Sequence, residues 1–258
     1  MTPPSKQMDL LLNDFAIRSF RDMADGDYIA ARMALRAGLM HQFLWSSQQA
    51  IEKYLKGILL FSRIPAKVGH DIDKAMALTG RLPFAIQRRP QSEKFIKHVA
   101  AYGEYRYMDV STYLHGYALL DLDMAVWDLR RYCQVLRMPG GNPSPTEARI
   151  FEMTLEHIQE SSNKPPQEFR IRNGRLETVI SKKNHPSREP LLWQNGLFGA
   201  RRRKTVRITN QMQATNAPLW LHPEILEELL QYVYIPKGLA TFYRDHHANI
   251  LRDPTQRP

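Results

Sequence analysis

The sequence predicts a mainly α protein in which a helical N-terminal part precedes a small basic α+β module. Three observations predict it. Between Tyr28 and Leu136, apolar residues recur at spacings of three and four, the pattern of helices with one buried face. The run Pro139-Gly140-Gly141-Asn142-Pro143-Ser144-Pro145 then breaks that periodicity and marks the best boundary in the chain. Beyond it Asn173-Gly174, set between Arg-Ile-Arg and Arg-Leu-Glu-Thr-Val-Ile, is a strong hairpin signal. The expected organisation is an extension over 1–20, a helical unit over 21–138, a linker over 139–145 and a module of unassigned family over 146–258.

Residues 1–8 are expected to be disordered, and residues 9–20 to form a short helix through Leu11, Leu12, Phe15 and Ile17. The first long helix is expected from residues 25–27 onward, with Tyr28, Ala31, Met33, Leu35 and Leu39 inward and Gly38 loosening its end. Residues 41–62 form the next helix. Ala50, Ile51, Tyr54, Leu55, Ile58 and Leu59 make its apolar stripe, while Gln48, Gln49, Glu52, Lys53 and Lys56 lie opposite. Glu52 and Lys56 are an i,i+4 pair in the favourable order, worth about 0.2–0.5 kcal/mol. Pro65 and Gly69 end that helix, and His70-Asp71 lead into a short one through Ile72, Ala75, Met76 and Leu78, closed by Gly80.

Arg88-Arg89-Pro90-Gln91-Ser92 can cap a helix carrying Phe95, Ile96, Val99 and Tyr102. The longest helix is expected from Asp109 or Ser111 to about residue 137, its terminal Arg130, Arg131 and Arg137 suiting the macrodipole. After the linker, residues 146–159 read as a helix through Ile150, Phe151, Leu155 and Ile158. A hairpin over 169–180, strands at 191–193 and 205–209, and a helix over 223–233 complete the expectation.

The totals exclude several classes. No run of about 18 apolar residues is present, and the first residues lack a basic stretch followed by an apolar one, so residence in the cytoplasm is expected. Cys133 is the single cysteine, which rules out an intrachain disulfide and a cysteine zinc cage, and its apolar neighbours predict a buried thiol. The sequence contains no Walker loop, no Gly-x-Gly-x-x-Gly and no Gly-x-Ser-x-Gly. In a helix the adjacent His246 and His247 point about 100° apart, a poor arrangement for a metal, so no metal and no cofactor is expected. The net charge of +10 favours a polyanionic partner. Residues 164–207 hold twelve Lys and Arg against three Glu, so nearly all the excess is there.

One word within the second long helix is more specific than its periodicity. Gln48-Gln49-Ala50-x-Glu52-Lys53-x-Leu55-Lys56, followed by an apolar run and Gly69-His70-Asp71-Ile72, resembles the HEPN domain over roughly residues 20–137. Tyr105-Arg106-Tyr107 is similar to the Arg-Tyr element that precedes the last long helix in many members. The resemblance implies an antiparallel helical bundle, commonly a homodimer, that binds RNA or nucleotides, accompanies a nucleotidyltransferase, or acts as a metal-independent ribonuclease. It also implies a setting in prokaryotic stress response or defence.

HEPN ribonucleases pair an Arg that steadies phosphate with a His that moves a proton, four to six residues lying between them, a task suited to an imidazole. Arg106 lies at the family position, but the next histidine, His115, has eight residues between them. These two are the candidate dyad. Each also has a structural reading, Arg106 as a bracing ion pair and His115 as a partly buried helix residue. Arg36 with His41 and Arg63 with His70 satisfy the spacing but lie outside the family position. The candidate nucleic-acid contacts are Arg170, Arg172, Lys182, Lys183, Arg201, Arg202, Arg203, Lys204 and Arg207, with Phe169, Trp193 and Phe198 interleaved. Such cations supply affinity more than sequence choice, and the same composition suits an ordinary solvated loop.

Overall fold

The computed structural model describes residues 6–103, 105, 110–136, 145–203, 205–207, 212–253 and 255. The molecule is mainly α. Its first helical stretch is longer than the periodicity predicts: α1 (Lys6–Phe15) passes through a π-helical segment, Ala16–Arg21, straight into α2 (Asp22–Arg36). The residues at both joints keep right-handed helical backbone angles, so nothing breaks the rod. Asp25 therefore does not start a helix; it sits inside one, with its carboxylate buried.

The chain reverses through residues 37–39, where Gly38 takes a φ of +75°, and α3 (Met40–Phe61) packs back along α2. As its spacing predicts, α3 buries Ala50, Ile51, Tyr54, Leu55, Ile58 and Leu59. Its polar side is not a solvated face. Gln48 and Glu52 are each 3% exposed, and Glu52 receives Lys56 Nζ at 2.6 Å and lies 3.1 Å from His70 Nδ1. Lys53 reaches Asp27 on α2 at 2.5 Å. These groups brace the bundle.

Two further expectations hold closely. In α4 (Ile72–Leu78) the Asp71 carboxylate accepts the Lys74 amide N–H at the N-cap. In α5 (Pro90–Tyr102) Pro90 opens the first turn, and Phe95, Ile96 and Val99 go inward. The long helix begins later than expected. Thr112–Leu114 is a strand, β1, paired antiparallel with β2 (Gln213–Thr215) in register Thr112 to Thr215, and α6 covers only Ala118–Arg130. A β-branched and an aromatic residue ahead of Gly116 favour extended backbone once a partner strand is available. This is the one sheet among the described residues.

After the linker, whose residues up to 144 lie outside the described set, α7 (Pro145–Glu160) follows the predicted span. The predicted hairpin is absent. Asn173 takes a φ of +57°, but Gly174 then opens a helix, α8 (Arg175–Ser181). The cause is a buried charge. A β-carbon on Gly174 would lie 1.9 Å from a Glu177 carboxylate oxygen and 2.9 Å from Arg130 Nη2, so any larger residue would displace the Glu177 side chain that folds back over the turn. There Glu177 accepts the Ile171 N–H at 3.0 Å and two bonds from Arg130 at 2.8 and 2.7 Å. Residues 191–193 are likewise not a strand: α9 (Arg188–Leu192) covers most of them. Residues 205–207 carry no strand either, and 208–209 lie outside the described residues. Pro223 opens a short 3-10 turn that runs into α11 (Leu226–Leu229), after α10 (Pro218–Leu221) and before α12 (Lys237–Arg252).

Phe151, Ile158, Phe169, Ile171, Leu176, Val179, Leu191 and Phe198 enter the same apolar core as the bundle. A second cluster, Ala217, Leu219, Leu226, Ile235, Ala240 and Tyr243, belongs to the C-terminal helices. Three arginines lie inside: Arg32 on α2, and Arg130 and Arg131 at the end of α6, as expected. Arg130 binds Asp25 at 2.7 and 2.9 Å as well as Glu177, and Tyr54 donates to Asp25 at 2.7 Å. Arg32 pairs with Asp123, which also accepts from Tyr28 at 2.7 Å, and donates to the Trp193 carbonyl. Arg131 reaches Ser161 at 2.8 Å and the Ile158 carbonyl at 3.3 Å, which ties α7 to α6. Cys133 is fully buried, as predicted, and burial pushes its thiol well above the ordinary range.

Removing one member of a buried ion pair leaves the other uncompensated, so Arg130→Met should lower unfolding free energy by about 3–5 kcal/mol in urea titration. Loss below ~1 kcal/mol, the ceiling for exposed pairs, would deny the network its role. Burial pulls the Glu177 pKa upward, but the charge and bonds of Arg130 outweigh it, and the net shift is below the ordinary 4.5. A depressed folded pKa stabilises fully above 4.5 and loses that contribution as pH falls through the folded value. The stability gap between wild type and Glu177→Gln should thus be widest at neutral pH and close in acid. A gap independent of pH would contradict the assignment.

Candidate functional site

His115 lies in the turn between β1 and α6, with a side chain 45% exposed. The Tyr117 N–H donates to Nδ1 at 3.3 Å, so in the neutral ring the proton resides on Nε2. Nε2 points at Asp121 Oδ2, 3.2 Å away. Burial raises the Asp121 pKa, an effect the nearby His115 only partly offsets. The result is a histidine held at both nitrogens in one tautomer, with one ring edge open to solvent.

That edge lines a cleft of about 350 Å³ shared with Arg36, Trp193, Gln194 and Arg207. Arg36 donates to both carboxylate oxygens of Glu189 at 2.6 Å, and its guanidinium lies 5.1 Å from the Trp193 ring centre. The backbone N–H of Arg207 donates to Gln194 at 2.8 Å, while its side chain remains exposed. The fold therefore brings two cations to His115 from distant parts of the chain. The sequence joined neither to it. Arg106 lies outside the described residues.

The other two Arg and His combinations do not meet. Arg36 is engaged by Glu189, and the His41 Nε2 is buried without a hydrogen-bond partner among the described residues. Arg63 binds Asp9 at 3.1 Å and Asn13 at 2.8 Å, while His70 goes to Glu52. His246 is stacked on Trp220 with ring centres 4.0 Å apart. No group of three or more His, Cys, Asp or Glu among the described residues is placed to hold a metal.

The basic stretch divides by chemistry. Arg170, Arg172, Lys182, Lys183, Arg201, Arg202, Arg203 and Arg207 are all exposed, and none of them meets a carboxylate among the described residues. Arg170 and Lys183, with Arg188, line an open depression of about 580 Å³ beside Gly174 and Thr178. Arg170 donates to the Gly199 carbonyl at 3.2 Å and Arg188 to the Ile180 carbonyl at 3.0 Å, which anchors both guanidinium groups on backbone. Lys204 lies outside the described residues. Because α8 replaces the hairpin, Arg170, Arg172 and Arg175 do not alternate along a strand face. The interleaved aromatics are also placed otherwise than expected: Phe169 and Phe198 are buried against Trp127 at 5.6 and 5.7 Å, and only Trp193 faces a cleft.

The helical bundle thus carries a half-exposed histidine at the foot of its last helix, and the segment after the linker carries exposed cations that meet no carboxylate among the described residues. Residues 17–125 match the family model of the HEPN domain. No curated protein and no solved structure matches the chain. No helix among the described residues is long and apolar enough to cross a membrane.

Proposed function

We propose that the protein binds RNA or a nucleotide, with the phosphate backbone lying along the cationic flank of residues 170–207. One observation carries this reading: eight exposed Lys and Arg side chains, from Arg170 to Arg207, have no carboxylate partner among the described residues, whereas the arginines of the core are all committed internally. Unpaired surface cations displace condensed counterions from a polyanion, which gives affinity without base choice. The HEPN match makes RNA the favoured polyanion, and the reading extends to a homodimer or to partnership with a nucleotidyltransferase in prokaryotic stress response or defence. Affinity for single-stranded RNA should fall steeply with salt. Replacing Arg201, Arg202 and Arg203 together by Ala should flatten the log–log salt slope by about 2. An unaltered slope would move the contact off this surface.

A second reading is favoured by the His115 cleft: metal-independent cleavage of RNA, with His115 as proton-transfer group and Arg106 on the phosphate. The open ring edge of His115 and its orientation by Asp121 support it. In excess EDTA, labelled RNA should be cut by the wild type and survive intact with His115→Ala or Arg106→Ala. Cleavage that persists in both variants, or none in the wild type, would eliminate this reading and leave the binding one standing.

A further inference from the structure

A second recognition surface lies away from the cations. The end of α5, the residues before β1 and the C-terminal helices line an open pocket of about 540 Å³, within the ~300–1,000 Å³ range of small-molecule sites. Its walls include Tyr102, Tyr105, Trp220, Phe242 and Tyr243, and no Lys, Arg, Asp or Glu lines it among the described residues. Among the described residues the lining is aromatic and neutral.

The aromatic rings are ordered. His246, Trp220 and Phe242 form a column: Trp220 lies 4.0 Å from His246 at an interplanar angle of 6° and 6.2 Å from Phe242 at 16°. The His246 ring nitrogen is 3.1 Å from the Trp220 carbonyl, which steadies the column at its far end. At the near end the Phe242 ring is half exposed. On the rim is Asn216, exposed and without a hydrogen bond among the described residues. Its amide offers one donor and one acceptor group in a plane, which suits the edge of a heterocycle.

We propose that this pocket takes a nucleobase, stacked on the Trp220 and Phe242 column and hydrogen-bonded at its edge by Asn216. The inference rests on the reading above that the ligand is RNA or a nucleotide, and it assigns the base a site separate from the phosphates. Stacking on aromatic side chains tolerates any base, because every base has a π face. A strand and a free nucleotide present the same ring, so the chemistry of the pocket is shared between them.

Uncharged nucleosides separate the two surfaces, since the cationic flank has nothing to hold on them. Titrating adenosine and uridine into the full chain should quench tryptophan fluorescence saturably, with a midpoint unchanged between ~50 and ~200 mM salt. Trp220→Phe keeps a ring in the wall and should abolish the quenching. Phe242→Ala should raise the midpoint roughly tenfold. Asn216→Ala, at an exposed side chain without a hydrogen bond among the described residues, should raise it as well and serves as the variant least prone to folding effects. A single-stranded oligoribonucleotide titrated in parallel distinguishes the sources: tighter, salt-sensitive binding weakened by Phe242→Ala points to a strand, and affinity equal to the nucleoside points to a free nucleotide. If the oligoribonucleotide binds but neither nucleoside quenches, or if quenching is the same in Phe242→Ala and Asn216→Ala, the pocket is not a base site and the cationic reading stands alone. If nucleosides quench and RNA does not bind, the pocket stands and the cationic reading falls.

Discussion

The contact on which the rest of the structure depends is the buried guanidinium of Arg130 between Asp25 and Glu177. A charge removed from water must find its counter-charges with good geometry, and Arg130 does so by taking one carboxylate from the bundle and one from beyond the linker. Any other seating of residues 171–177 would leave part of that guanidinium unpaired in the core. Glu177 in turn closes the turn at Gly174, and the Asp25 carboxylate accepts from Leu176 N–H at 3.3 Å. A single desolvated charge thereby fixes the register of α8 on α2 and α6.

The adjacent arginine and a second buried pair extend the same logic. Arg131 fastens the end of α7, and Arg32 with Asp123 fastens the loop that carries Trp193. The HEPN match ends at residue 125, so it includes Asp25, Arg32 and Asp123 but not Arg130 or Glu177. The ion network crosses that limit, and residues 151–198 fill the same apolar core. Physically, the bundle and the first half of the following segment share one interior.

This division sorts the basic residues by role. Arginines that meet carboxylates inside hold the fold, and their positive charge is neutralised locally. The excess in residues 164–207 is carried by side chains that stay in water, where long-range attraction to a polyanion persists. His115 stands where the two populations approach each other, with Arg36 tied to Glu189 and Arg207 exposed in one cleft. The aromatic pocket beside Trp220 has a different chemistry, flat and, among the described residues, without charge.

Where a property is local or periodic, the sequence alone determined it: the α3 stripe, the Asp71 cap, Pro90 at the first turn of α5, the α7 span, the buried Cys133 and the HEPN word all have causes within a few residues of themselves. Exposure of the cations after residue 170 was legible for the same reason, because long charged side chains default to water. Tertiary structure decided what depends on partners far apart in the chain. Asn173-Gly174 is a hairpin signal by local chemistry, but Arg130, 47 positions from Glu177, turns that segment into a helix entrance. Likewise, Thr112–Leu114 becomes a strand only because Gln213–Thr215 lies beside it, which delays α6 and puts His115 in a turn. Buried ion pairs and sheet partners carry free energies that exceed helix and turn propensities, and no window of neighbouring residues contains them.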